Sequence, residues 1–316
     1  MSLPRWAIFT FLFAGFSSSC VGTDFENKDT GGSMGQEGAV DVGLPLPDRP
    51  LPVKVTGKVV APNGTMPISG ALVYAQTTMP KAIPDGVYCD KCVELPKITP
   101  NTRSAADGAF SLDLPAKGKW VIVVQKGAFR RAREVTVPEG GMMVPVGLTT
   151  LPGKTDAAKN DFIPKMAVID GAWDDIERSL AKLGLGQVDS KGGLVKDSES
   201  FYFYQCKLVT LFPPVQDCKP AAPSKLLTDY TELSKYNILF VPCDSDWLDG
   251  YFTYNKVKEN LTKWIKAGGR LYVTDYQYDL LHLILPKFIK WVGQSGTLGS
   301  AELTSSYDAA AMVQEP

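Results

Sequence analysis

The pattern of apolar and polar residues changes part-way along the chain. From residue 53 to residue 138, short segments alternate apolar and polar positions, as in VKVTGKVVA, GALVYA, AFSLDLPA and WVIVVQKG. Turn residues such as Asn63–Gly64 and Asp107–Gly108 separate these segments, and none of them keeps a helical period. Short strands between regular turn signals predict an antiparallel β-sandwich over residues 51–150.

From residue 160 onward, apolar strands alternate with segments of helical period. The strands are MAVI, NILFV and LYV, which end at Ile169, Val241 and Val273. Between them, residues 174–183 and 254–267 carry apolar residues on one helical face, and glycines end both segments. This alternation predicts a parallel sheet with helices on both faces over residues 160–316. The predicted fold is therefore multidomain, a β-sandwich followed by an α/β domain.

The first 20 residues predict export from the cytoplasm. Arg5 precedes the apolar run Trp6–Phe16, which is too short to span a bilayer but fits a signal-peptide core. Small residues before Cys20 resemble a bacterial lipobox, which implies that Cys20 is lipidated. Ser17 stands where that motif usually has Leu, so simple secretion and an uncleaved anchor remain alternatives. Residues 21–50 are polar and Gly-rich, and they predict a disordered tether in the cell envelope.

The net charge of -1 argues against a nucleic-acid partner, because nucleic-acid-binding surfaces are strongly basic. The one basic cluster, Arg130, Arg131 and Arg133, is interpreted as surface residues of a hairpin or of a strand edge. We expect the partners to be the membrane, through the lipid anchor, and envelope proteins or glycans.

The chain has six cysteines, which are Cys20, Cys89, Cys92, Cys206, Cys218 and Cys243. Outside the cytoplasm, the local pairs Cys89–Cys92 and Cys206–Cys218 are the simplest disulfide assignment. Cys243 is then a buried thiol at a strand end. Half of a metal site and a redox centre remain alternatives for the CxxC pair. Its Pro- and Gly-rich surroundings indicate a loop rather than the helix N-terminus typical of redox CxxC motifs.

Three segments of the first domain resemble the carboxypeptidase regulatory-like domain. They are VTGKV, PISGALVY and TRSAADGAFSL, and the resemblance covers about residues 53–138. It implies a transthyretin-like sandwich within the carbohydrate-binding-like fold group, which acts as an accessory module and not as a peptidase. The stretch between Tyr74 and Thr102 is longer than in that family. It carries the Cys89–Cys92 pair, which we expect to pin the loop.

The run YNILFVPC followed by NLTKWIKAGGRLYVTDYQYDLL resembles the class I glutamine-amidotransferase-like fold, a flavodoxin-like architecture, over about residues 165–292. Active members use a cysteine nucleophile in the turn after the last of these strands, together with a later histidine. Here that turn falls near Asp275 or Tyr276, so the resemblance implies a scaffold without its nucleophile. A Cys243–His282 pair remains an alternative. Because the related fold continues further, we expect a truncated C-terminus or closure by a partner.

Aspartates follow three of the predicted strands, at Asp170, Asp244 and Asp275, and Asp246 lies close behind the second. The carboxyl ends of parallel strands share one edge, which is the usual ligand crevice. Each aspartate is interpreted as the cap of the following helix. The alternatives are a shared site for Ca²⁺ or Mg²⁺ and acid–base chemistry.

Together these features predict a non-catalytic cell-envelope lipoprotein that acts as a binding or assembly module and needs no cofactor. Two alternatives remain. One is a metal-dependent envelope hydrolase that uses the aspartate edge, and the other is a carbohydrate-binding surface protein.

Overall fold

The computed structural model describes residues 52–89, 95–171, 173–211, 214–219, 223–243, 255–274, 277, 280–281 and 284–286. In residues 206–211, 214–219 and 223 it describes the backbone alone. The described residues belong to one compact unit. Several predicted features lie outside them, namely the signal peptide, the tether, Cys20, Cys92, Asp244, Asp246, Asp275 and His282.

The first module, residues 53–162, contains strands that form two sheets. In chain order these are β1 (Val53–Lys58), β2 (Leu72–Gln76), β3 (Asn101–Arg103), β4 (Ala109–Leu114), β5 (Gly118–Lys126), β6 (Phe129–Val137), β7 (Met142–Met143) and β8 (Asp161–Phe162). The smaller sheet has the order β4-β1-β7, and the larger has the order β3-β2-β5-β6-β8. All pairs are antiparallel except β1 with β7. A helical turn, α1 (Val146–Thr149), follows β7.

The two sheets of the first module share one apolar core. The alternation in the sequence predicts which side chains enter it, and Val53, Val55 and Val59 are buried there. The connection between β3 and β4, which belong to different sheets, turns at Asp107–Gly108, where Gly108 has a φ of +79° and the Asp107 side chain accepts a hydrogen bond from the Ala109 N–H. A side chain at Gly108 would also collide with the carbonyl oxygen of Val59, so the turn requires glycine.

Arg131 and Arg133 of the basic cluster hydrogen-bond to Asp161 in the edge strand β8. The Asp161 carboxylate accepts hydrogen bonds from Arg131 Nε at 2.9 Å and from Arg133 Nη2 at 2.7 Å. Burial raises the pKa of Asp161, but the hydrogen bonds from both arginines outweigh burial and hold that pKa below its usual value. The cluster therefore stabilises a strand pairing and is not a free basic surface.

The second module, from residue 166 onward, is built on a mainly parallel sheet. Its strands are β9 (Met166–Ile169), β10 (Tyr202–Leu211), β11 (Pro214–Lys219), β12 (Ile238–Val241) and β13 (Arg270–Val273), in the order β11-β10-β9-β12-β13. Among the strands that the structure describes in this sheet, only β11 is antiparallel to its neighbour. The helices are α2 (Ile176–Leu180), α3 (Pro223–Thr228), α4 (Tyr230–Leu233) and α5 (Asn255–Lys266).

Apolar side chains cover both faces of this sheet. On one face, Ala167 and Leu239 pack with the buried side of α5, which includes Leu261 and Trp264. On the other face, Met166 packs with the end of α2. Burial on both sides agrees with the continuous apolar sequences of these strands.

Two parts of the second module differ from the sequence-based prediction. The helix predicted over residues 174–183 forms only at Ile176–Leu180 and continues as a wider turn at Ala181–Leu185. Within this turn, Gly184 has a non-helical φ of +93°. The hairpin of β10 and β11 was not predicted, because the segment YFYQCKLVTL mixes polar and apolar residues without a clear period.

Candidate functional site at the carboxyl edge of the parallel sheet

Three neighbouring strands of the second module end at one edge of the sheet. Asp170 follows β9, Pro242 and Cys243 follow β12, and Thr274 follows β13. The chain leaves β9 towards β10 on one side, whereas it leaves β12 towards β13 on the other side. The gap between β9 and β12 is therefore the topological switch point, where open α/β sheets bind ligands.

The central group of this edge is the carboxylate of Asp174, in the loop after β9. It accepts hydrogen bonds from the backbone N–H of Cys243, at 3.2 Å, and from the Thr274 hydroxyl. The Cys243 N–H also donates to Thr274 Oγ1 at 2.9 Å. One carboxylate therefore ties together the loops that follow β9, β12 and β13.

The loop after β9 also lies against the end of β12. A side-chain carbon at Gly171 would stand 2.7 Å from Cγ of Pro242, so only glycine permits this close approach. The Trp173 N–H points to the Cys243 carbonyl oxygen at 3.4 Å, while the Trp173 residue as a whole is 74% exposed. The loop thus covers the switch point and presents an indole to solvent.

Asp170 is held by the neighbouring strand. Its carboxylate accepts a hydrogen bond from Gln205 Nε2 at 2.9 Å, and its N–H donates to the Tyr204 carbonyl oxygen. The interpretation of Asp170 as a helix cap stays a prediction. Asp175, at the start of α2, makes no side-chain capping bond.

Acidic groups near the edge influence one another. Burial raises the pKa of Glu177, and the negative charges of Asp175 and Asp170 raise it further. Arg178 opposes this effect, because its guanidinium lies 2.9 Å from Asp175 and 3.5 Å from Glu177. The pKa of Tyr272 on β13 is also raised, first by burial and then by the charge of Asp174.

The structure brings together some of the predicted residues and leaves others untested. Asp170 lies at the predicted edge, and Cys243 is 2% exposed, as expected for a thiol at a strand end. Asp244, Asp246 and Asp275 fall outside the described residues. Within those residues, no group of three His, Cys, Asp or Glu side chains could hold a metal ion. The predicted Ca²⁺ or Mg²⁺ site therefore stays a hypothesis about the remaining aspartates.

The structure describes both cysteines of one predicted disulfide and only one cysteine of the other. In the β10–β11 hairpin, Cys206 lies directly opposite Cys218 in the strand register. Cys89 is an exposed, free cysteine, and its predicted partner Cys92 is outside the described residues. Both pairings stay predictions.

Asp174 is the residue that sequence reasoning missed at this site. The helical pattern of residues 174–183 places it at the start of a helix, and its partners Cys243 and Thr274 are 69 and 100 residues away in the chain. The only local signal is the placement of two adjacent acids, Asp174 and Asp175, between a strand and a helix.

Comparisons with known proteins identify no family. No protein-family model and no curated protein matches the chain. One solved structure that matches in part is the dioxygenase domain of a dioxygenase–carbohydrate-binding protein fusion from Streptomyces sp. SirexAA-E. It is 20% identical with a TM-score of 0.19, and the match covers 28% of this chain and 58% of that chain. Among the described residues, no helix is long and apolar enough to cross a membrane.

Proposed function

We propose that the chain is a bacterial cell-envelope lipoprotein whose folded part binds or assembles with other envelope components and does not catalyse a reaction. In this proposal Cys20 carries the lipid and residues 21–50 form the tether. The first module is a carboxypeptidase regulatory-like sandwich. The second is an amidotransferase-like scaffold without the nucleophile of that family.

The strand arrangement supports this description of the two modules. Two mostly antiparallel sheets that share a core are what a sandwich requires. In the second module, the parallel strands β9, β10, β12 and β13 have the spatial order 2-1-3-4 when counted along the chain. That order is the one found in flavodoxin-like sheets.

The engagement of Asp174 carries the non-catalytic part of the proposal. A catalytic base or nucleophile must come within hydrogen-bonding distance of its substrate. Asp174 instead accepts bonds from the Cys243 N–H and the Thr274 hydroxyl, and Cys243 itself is 2% exposed. At the expected position of the crevice, these groups serve the packing of the loops.

An activity assay tests this proposal. The purified, non-lipidated full chain is incubated with glutamine and with a panel of amide and ester substrates, and product release is measured. We expect no turnover above the buffer rate. Turnover that is lost on Cys243→Ala or on Asp275→Asn would overturn the non-catalytic assignment.

The binding or assembly role has its own measurement. The lipidated protein is solubilised from membranes in several mild detergents and analysed by sedimentation. We expect it to sediment in a complex larger than one copy of the chain. Sedimentation as a single copy in every detergent would contradict assembly.

A further inference from the structure

The connection between β2 and β3 is far longer than these strands require. The strands are antiparallel neighbours, and Tyr74 pairs with Asn101, so a turn of a few residues would join them. The chain instead uses residues 77–100. Long connections inside a compact fold usually have a role of their own. We name residues 81–89, the described part that contacts both modules, the strap.

The strap begins on the outer face of the first module. The guanidinium of Arg130, which is 6% exposed, donates to the carbonyl oxygen of Lys81 at 2.7 Å. The same face has a small apolar cluster around Tyr74 and Val123, and Leu95 packs against it where the connection returns. Both arms of the connection are therefore held against the first module.

The strap then crosses to the second module and makes several kinds of contact there. The Val87 N–H donates to the Ser234 carbonyl oxygen at 2.8 Å, and the Val87 side chain packs against the core under α5. Asn237 Nδ2 donates to the Gly86 carbonyl oxygen at 2.7 Å. A side chain at Gly268 would collide with the backbone of Tyr88, so that glycine is required for the strap to lie there.

These contacts all fall on the amino edge of the parallel sheet. Asn237 immediately precedes β12, and Gly268 lies just before β13. Lys165, which precedes β9, pairs with Asp85 of the strap at 3.2 Å. The strap therefore binds the edge opposite to the one that contains Asp174.

A second contact between the modules lies on the same side. The Asn63 N–H donates to the Leu183 carbonyl oxygen at 2.9 Å, and its side chain donates to the Lys182 carbonyl oxygen at 3.2 Å. A side chain at Gly184 would stand 2.5 Å from the Asn63 nitrogen. In this contact the turn at Asn63 of the first module lies against the turn at Leu183–Gly184 of the second module.

We propose that the strap is a conformational device that locks the two modules into one rigid body, with Val87 as its anchor. Val87 is the apolar side chain of the strap that packs, partly buried, against the second core beneath α5. Phe129 of β6 makes a separate apolar contact, with the core cluster on the other face of the parallel sheet. Release of Val87 leaves the modules joined by Phe129, by the turn at Asn63 and by the chain itself, and in this proposal those contacts are too few to keep one fixed orientation. This proposal does not depend on the proposed function.

The test is the alignment of the two modules in solution. Amide residual dipolar couplings of the non-lipidated full chain are fitted separately for β1–β6 and for β9, β12 and α5. We expect one shared alignment tensor in the wild-type chain and two different tensors in Val87→Asp. Met79→Asp is the matched control, because Met79 is exposed in the same connection, and it should keep the shared tensor.

A second pair of variants covers the case in which Val87→Asp does not fold. Gly86 and Gly64 have φ values of +77° and +79°, so alanine introduces the same backbone strain at both positions. At Gly86 the new Cβ would stand 3.0 Å from the Ser234 carbonyl oxygen, whereas nothing lies within 4 Å at Gly64. We expect faster hydrogen exchange of the residue 87 amide in Gly86→Ala only.

Three results would overturn the proposal. The first is a pair of different tensors in the wild-type chain. The second is a shared tensor in folded Val87→Asp, since Phe129 and the turn at Asn63 would then hold the modules without the strap. The third is equal exchange of the residue 87 amide in Gly86→Ala and Gly64→Ala.

Discussion

Replacement of Asp174 by alanine tests whether the carboxyl edge is held together by a structural carboxylate. The change removes the acceptor of the Thr274 hydroxyl. It also removes one of the two acceptors of the Cys243 N–H, which can still donate to Thr274 Oγ1 at 2.9 Å. The cost is therefore close to that of one hydrogen bond to a charged group, with a smaller addition from the second bond. Because Asp174 is only half-buried, we expect a loss of about 2 kcal/mol in the free energy of unfolding.

The neighbouring residue supplies the control. Asp175 belongs to the same loop and has the same charge, but it is exposed and pairs with Arg178 one helical turn away. Exposed pairs of this kind contribute little, so Asp175→Ala should cost less than about 0.5 kcal/mol. The difference between the two variants removes the general effect of losing a negative charge next to α2.

Urea-induced unfolding of the non-lipidated full chain, followed by tryptophan fluorescence, measures both losses. Trp264 is fully buried against Tyr236, where its indole N–H donates to the backbone carbonyl at 2.8 Å, so its emission reports on the second module. If Asp174→Ala loses no more than Asp175→Ala, the carboxylate is not a structural tie. If Asp174→Ala gains stability, the edge is instead strained in the manner of a functional site, and the non-catalytic interpretation fails.

Three further predictions concern other parts of the chain. Replacement of Asp161 by asparagine should destabilise the protein above about pH 4, and the difference in stability from wild type should shrink as the pH falls. The reason is that the carboxylate bonded to Arg131 has a depressed pKa in the folded state, so its stabilising effect is lost when it is protonated. Equal unfolding curves at pH 7 would contradict this. Mass spectrometry of the unreduced protein should find a Cys206–Cys218 peptide, since the two residues are opposite in the hairpin; free thiols at both positions in exported protein would exclude it. Replacement of Cys20 by serine should move the protein from the membrane fraction to the soluble fraction, and unchanged membrane retention would argue for an uncleaved anchor.

The sequence predicts those features that depend on local periodicity. Alternation identifies β1, β4 and β5, because a strand with one buried face must repeat every second residue. The buried side of α5, with Val257, Leu261 and Trp264, follows from helical spacing in the same way. These elements are set by their own residues, and the structure has them close to the predicted bounds.

The features that the sequence does not predict depend on partners that are distant along the chain. Asp174 is hydrogen-bonded to Thr274, which is 100 residues away in the chain, and Gly86 is hydrogen-bonded to Asn237, which is 151 residues away. No local pattern distinguishes such a residue from an ordinary polar residue in a loop. The length of the connection between β2 and β3 is a usable signal, since paired neighbours need only a short turn. It indicates that the connection has a separate role without showing what it contacts.

The two edges of the parallel sheet have different tasks. At the amino edge, the strap and the turn at Asn63 attach the first module. At the carboxyl edge, Asp174 ties three loops together and Trp173 remains exposed. Strands of four residues such as β9 and β12 separate these edges by about 13 Å, so a partner at the carboxyl edge meets a surface that does not include the strap.

The contacts of Asp174 at one edge and of the strap at the other favour binding over a type of catalysis that depends on moving loops. An enzyme that closes over its substrate needs loops of low stability at the active site. Here Cys243 and Thr274, the described residues that follow β12 and β13, are bonded to Asp174, and we propose that Val87 holds the module that carries them. A surface that is already ordered loses less conformational entropy when a partner binds, so the same contacts give a higher affinity. The bonds among the described residues of this edge are consistent with the proposed assembly role, and the Asp174 and Val87 variants test the two ties separately.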